Sequence, residues 1–340
     1  MNARQSGTVQ HLLRVGRRTA LGGGAAVLAS RPLQARTRSR QLGVLMGGRA
    51  EDPVWQALTG VFVARLRELG WHEGQNLSID WRWAGGDAAR IARYATELVA
   101  LTLDAIFCQT SPGVLALKRQ TSTIPIVFVR VTDPIGQGVV TSLARPGGNL
   151  TGFSDYDAPM AGKWLEMLTQ LNPPVRRAAV LHNPATAPYA RLMLPWLTNA
   201  APSFGITVVP AEVHERSEID GVMAELAQVN GSGVLVLAHI FASVHRDEVI
   251  TAAARHRLPA VYADRFFAAA GGLMSYGIEG SDLFRRGAGY VDRVLRGAHP
   301  GDLPVQNPTK FELAVNLGTA KALGVTIDPA LVAAADEVIE

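Results

Sequence analysis

The chain carries a single cysteine, Cys108, among its 340 residues. One thiol cannot close an internal disulfide, and it leaves a cysteine-based metal cage without ligands. Cys108 follows Leu103-Asp104-Ala105-Ile106-Phe107, an apolar setting that marks it as a small core residue. Long apolar runs are missing as well. The stretch Thr19 to Ser30 falls short of the roughly 20 residues that a bilayer-spanning helix needs. No acidic residue occurs before Glu51. The motifs that announce catalysis are also absent: there is no Gly-x-Ser-x-Gly elbow, no Walker A loop and no His-Glu-x-x-His pair. Gly22-Gly23-Gly24 has no strand before it and so is not a dinucleotide loop. The eight histidines are scattered. The sequence therefore points away from an enzyme and implies no cofactor or metal.

What the N-terminus does hold is a pair of arginines, Arg17 and Arg18, just before that short apolar stretch. A basic front, a core of small residues (Ala20-Leu21-Gly22-Gly23-Gly24-Ala25-Ala26) and a small residue at Ala35 read as an export signal over residues 1–35. Paired arginines suggest the twin-arginine route, which carries folded cargo. Ala20, where a Phe is usual, and the Leu33-Gln34-Ala35 cleavage site depart from that signal. The alternative reading is a basic arm for nucleic acid. Charge placement argues against it. Five arginines (4, 14, 17, 18 and 31) lie in this segment, and without them the formal charge falls from +4 to −1. A nucleic-acid binder should carry its positive stripe on the folded domain.

With 48% hydrophobic and 18% charged residues, the remainder can bury a large core. Its pattern alternates strand and helix. Leu42–Met46 reads as a buried strand. Val54, Leu58, Val61, Phe62, Leu66 and Leu69 share one helical face before Gly70. A strand at 77–83, a helix near 88–101 and strands near 103–108 and 124–130 follow. The alternation restarts at 177–181 and continues through strands near 206–209, 233–238 and 259–262. This is the signature of α/β architecture: two doubly wound parallel-sheet lobes in tandem. Gly/Pro-rich connections at 145–159, 270–280 and 300–309 predict three crossovers between the lobes. The expected division is 36–153 with 272–303 as the first lobe, 154–271 with 304–325 as the second, and 326–340 as a tail.

Open parallel sheets bind ligands beyond the carboxyl ends of their strands. One device recurs there: Asp52-Pro53, Ser111-Pro112, Asp133-Pro134 and Asn183-Pro184. A capping side chain followed by proline opens a helix whose free N–H groups attract anions. Gln109, Thr110 and Ser111 form the best candidate for holding a ligand carboxylate. Asp133 and Asp155 are candidates for a ligand ammonium, with capping or turn roles equally open. Asn183 shares that ambiguity. His239 and Phe241 follow the strand near 233–238 at the mouth of the second unit and are ligand candidates, with a structural or solvated role for the His also open; Tyr276 lies on a crossover, where stacking on a ligand and packing in the core are both open.

Several stretches resemble a large bacterial family of exported ABC-transporter substrate-binding proteins that includes tryptophan- and tyrosine-type binders. They are Glu68-Leu69-Gly70-Trp71-His72-Glu73-Gly74-Gln75-Asn76, Thr132-Asp133-Pro134-Ile135-Gly136, Leu143-Ala144-Arg145-Pro146-Gly147-Gly148-Asn149 and Ala270-Gly271-Gly272-Leu273-Met274-Ser275-Tyr276-Gly277. The likeness covers nearly the whole chain. It implies a type I periplasmic-binding fold, closing by hinge motion on an amino acid or similar small carboxylate. It also implies a periplasmic location, a monomer and an ABC permease as partner. By resemblance Thr110, Ser111, Asp133, Asp155 and Asn183 line the cleft. The charged loop Gly47–Asp52 and the turn Ala238-His239-Ile240-Phe241 depart from the family pattern. The alternatives are a sensory subunit of the same fold serving a membrane receptor, and an exported hydrolase.

Overall fold

The computed structural model describes residues 39–340; the paired-arginine segment and the expected cleavage site lie outside them. The first sheet comprises β1 (Arg40–Met46), β2 (Leu77–Trp83), β3 (Ala105–Gln109), β4 (Ile126–Val131) and β5 (Leu150–Ser154). Its order is β2-β1-β3-β4-β5, and every pairing is parallel. The helices α1 (Pro53–Glu68), α2 (Ala88–Val99) and α3 (Ser111–Gln120) connect the first four strands. Strands β3 and β4 are buried along their whole length, as expected for parallel strands covered on both faces.

The second lobe runs from α4 (Ala158–Thr169) through β6 (Leu171–Asn172), β7 (Arg177–His182), α5 (Ala190–Ala200), β8 (Thr207–Glu212), α6 (Ile219–Ala227) and β9 (Ser232–Val236). It continues with α7 (Ile240–Val244), α8 (Arg246–Arg255), β10 (Ala260–Tyr262), α9 (Arg265–Ala269) and β11 (Met274–Ile278). Helix α10 (Gly280–Leu295) returns to the first lobe, where it packs on α1, β3 and β4. Then β12 (Phe311–Asn316), α11 (Leu317–Leu323), β13 (Thr326–Ile327), α12 (Pro329–Ala333) and β14 (Glu337–Ile339) complete the second lobe. The order of this sheet is β14-β12-β11-β10-β9-β7-β8, with β11 and β12 antiparallel.

Three boundaries differ from expectation. Residues 274–278 form β11, paired with β10 of the second sheet, so the crossover falls at Glu279. Val305 and Gln306 donate their N–H groups to Leu143 and Gly152 of the first lobe, which moves the third crossover beyond them. The C-terminal stretch is no tail: β14 pairs with β12, and β13 pairs with β6. Strand β11 pairs with the strand just before it, whereas the partners of 305–306 and of β13 are distant in sequence, so local composition did not disclose them.

The return of α10 is secured by aromatic packing. Phe107 of β3 stacks on Phe62 of α1 at 4.2 Å and meets Phe284 of α10 edge-on at 5.6 Å. Burying each such ring contributes roughly 1.5–3 kcal/mol. Gly287 lets the helix approach: a Cβ there would lie 2.8 Å from the Phe107 ring and 3.0 Å from Val129.

Candidate functional site

The two carboxyl-edge surfaces face one another, and the cleft between them is organised around one irregularity in β4. Its register with β5 runs Val129↔Phe153, then Val131↔Ser154, so Arg130 is the extra residue of a β-bulge. Its φ is 58°. A bulge bends its strand and re-aims a side chain, here out of an apolar strand and into the space between the lobes. Arg130 is 7% exposed and Asp264, from the turn before α9, is 3% exposed. Their Nη2 and Oδ1 atoms lie 2.6 Å apart. The Arg130 guanidinium also sits 5.8 Å from the Trp55 ring centre. Burial alone would depress the guanidinium pKa. Asp264, Tyr156 and Asp155 outweigh burial and hold it above its ordinary value.

Asp155 lies on the first crossover, buried, and accepts the Tyr156 N–H at 2.7 Å. Burial pushes its carboxyl up to about 6, with Arg130 opposing. A carboxylate desolvated in this way gains most from a cationic partner.

The N-terminus of α3 forms the first-lobe wall. Thr110, not Ser111, is the cap; its Oγ1 accepts the Gly113 N–H at 3.3 Å, and its φ of 99° is left-handed. Ser111 is buried at the first helical position, where its Oγ accepts from Gln137 Nε2 at 2.9 Å. Gln109 Oε1 accepts the Gly47 N–H at 3.0 Å. That approach requires glycine at 47, since a Cβ would come within 2.8 Å of Thr110 Cγ2 and 3.0 Å of Ile240 Cγ1. From the second lobe come His239, Ser243 and Tyr189. The Tyr189 hydroxyl donates to the Ala238 carbonyl. His239 caps α7 by accepting the Ala242 N–H on Nδ1 at 3.3 Å. Burial, with His182 nearby, drops its pKa to about 3, so the ring stays neutral. The space enclosed is only about 20 Å³, far below ligand pockets of about 300 to 1,000 Å³, so a ligand enters only when the lobes part.

Of the sequence candidates, Gln109, Thr110, Ser111, Asp155 and His239 meet in this cleft. Four do not line it. Asp133 accepts the Gly136 N–H in a turn and lines a different pocket with Asp157 and Trp196. Asn183 is spent on structure: its amide donates to Val213 and His214, and its oxygen accepts from Thr186. No helix opens at either of these two; α5 begins only at Ala190. Phe241 packs into the second-lobe core with Leu181 and Val249. Tyr276 lies on β11 with its ring stacked 5.9 Å from Phe311. Sequence reading missed Trp55, Arg130, Tyr189 and Asp264. Arg130 had a visible signal, a charge inside the apolar run Ile126-Val127-Phe128-Val129-Arg130-Val131. Cys108 is buried, and burial raises its thiol pKa far above the ordinary value.

Two parallel-sheet lobes, three crossovers and a small polar cleft between facing strand ends define a binding protein of the type I periplasmic class. The chain belongs to the family described as ABC transporter substrate binding protein, whose family model matches residues 50–339. It is 28% identical over 263 residues to a tyrosine-binding protein of Clostridioides difficile strain R20291, covering 77% of this chain and 75% of that one. A conserved domain protein from Vibrio cholerae superposes with a TM-score of 0.80 at 28% identity, over 89% of this chain and 99% of the other. An ABC domain from Streptococcus pneumonia, solved in complex with L-Trp, gives 0.81 at 25% identity, over 88% and 100%. Proteins of this family bind small-molecule ligands rather than transform them. Among the described residues, no helix is long and apolar enough to cross a membrane.

Proposed function

We propose that this protein captures an amino acid or a similar small carboxylate in its interlobe cleft and delivers it to an ABC permease of the inner membrane. The observation that carries this reading is the juxtaposition of two complementary groups. Buried Asp155 offers an anionic partner for an ammonium, and the α3 N-terminus offers the Thr110 and Ser111 hydroxyls and the Ser111 N–H for a carboxylate. Helix N-termini favour anions, so the cleft suits a zwitterion. Trp55 and Ile240 supply apolar surface for its side chain. The names of the relatives, a tyrosine-binding protein and a domain holding L-Trp, favour the same class. The export signal read at Arg17-Arg18 suits a periplasmic protein, acting as a monomer, with the permease as partner.

A thermal-shift screen of the purified protein against amino acids, small carboxylates and neutral sugars tests this. A ligand that binds only the native state raises the melting temperature by mass action. Shifts from sugars and none from any amino acid or carboxylate would sink the reading. Ser111→Ala should weaken binding about 10-fold, on the order of one lost hydrogen bond to a charged group, with the melting temperature of the free protein unchanged within a few degrees. Equal affinity in the variant would remove Ser111 from the site.

A further inference from the structure

A second space, of about 310 Å³, opens on the other side of the Arg130–Asp264 pair. Arg130 lines both spaces, so the ion pair is the partition between them. One wall of the second space is α1 at Leu58, the other is Phe266 and Ile278 of the second lobe, and the crossover at Glu279 closes one end. An occupant would therefore touch both lobes beside the hinge.

The polar lining sets three carboxylates against two guanidiniums, Arg130 and Arg265, with Ser281 beside them. Asp264, Glu279 and Glu312 all face the space. The cations nearby are already engaged. Arg130 uses Asp264 Oδ1, and Arg265 pairs with Glu337 at 2.7 Å. Lys310 reaches Glu279 at 3.4 Å, but its side chain is 59% exposed. Asp264 Oδ2 has no hydrogen-bond partner among the described residues, although the residue is buried. An ionised carboxylate has about four lone-pair sites, so Oδ2 keeps acceptor capacity that Arg130 does not use. Glu312 forms no ion pair among the described residues. Burial raises its pKa, with Arg265 opposing and Glu279 reinforcing.

We propose that this hinge-side cavity is a second ligand site, taking a small organic ammonium whose charge meets Asp264 and Glu312 and whose carbon chain lies on Leu58, Phe266 and Ile278. Such a co-ligand bridges the lobes and favours the closed arrangement. The proposal rests on the two-lobed closure of the proposed function but not on the identity of the cleft ligand.

The probe is n-butylammonium chloride, titrated calorimetrically into the purified protein against matched potassium chloride and n-butanol. Saturable binding is expected for the amine alone. Glu312→Gln should weaken it about 10-fold, the order of one charge-assisted contact. Glu279→Gln, at the opposite end, should weaken it too, and Asp155→Asn in the cleft should leave it unchanged. An amine signal no larger than the salt control overturns the proposal. So does an amine signal that Asp155→Asn abolishes and both glutamate variants keep, because the amine would then sit in the cleft. If amino acids fail to bind while the amine binds here, the transport reading falls and this site stands.

Discussion

At the scale of single residues, Asp155 couples function to stability. Its folded pKa of about 6 lies above the ordinary 3.8, so the folded ligand-free protein holds its proton more tightly than the unfolded chain does. Stability from this group is therefore present below pH about 4 and is lost as pH rises through about 6, a difference of roughly 3 kcal/mol. Asp155→Asn removes the buried charge. It should raise the melting temperature of the ligand-free protein at pH 7.5, with the gain vanishing near pH 4, in a series of thermal melts. The same substitution should cost ligand affinity, a stability–function trade-off typical of binding sites. In the wild type, affinity for an ammonium-bearing ligand should climb between pH 5 and 6.5 and then level off. A flat calorimetric profile across that range would separate Asp155 from the ligand.

At the scale of elements, the strand–helix alternation was legible because each buried parallel strand and amphipathic helix carries its own period. Helices expected at 54–69 and 88–101 appear as Pro53–Glu68 and Ala88–Val99. Capping was legible in part. Asp52 opens α1 and accepts from Val54 N–H, and Thr110 caps α3, but the same dipeptide chemistry at Asp133 and Asn183 makes turns instead. Asx-Pro specifies a local turn; whether a helix continues depends on what packs behind it. The bulge at Arg130 left no turn signature, since it arises from a register shift against β5. Its consequence is testable. Arg130→Leu should destabilise the protein by about 3–5 kcal/mol because Asp264 is left buried without its cation. The double variant with Asp264→Leu should recover much of that loss in urea unfolding. If the two single losses simply add, the pair is not coupled.

At the scale of the whole molecule, the lobes are held together at two depths. Arg130 and Asp264 meet in the interior, and Trp55 of the first lobe lies 6.3 Å from Phe266 of the second. At the mouth, Asp52, which also caps α1, pairs with Arg246 at the start of α8. The mouth pair is only partly buried, with side chains 9% and 21% exposed, so its attraction is weakened by solvent and by salt. Ligand capture depends on the balance between open and closed forms, and a contact made only in the closed form shifts it by its own free energy. Arg246→Ala removes such a contact, together with a 3.4 Å donation to the Ser243 carbonyl, while leaving every side chain of the cleft lining in place. It should lower ligand affinity about 5-fold, corresponding to about 1 kcal/mol. The loss should shrink as salt rises, and small-angle scattering of the ligand-free protein should report a larger radius of gyration. Unchanged affinity together with unchanged scattering would mean that the interior pair alone holds the lobes closed and that the mouth pair is a surface contact without a part in capture.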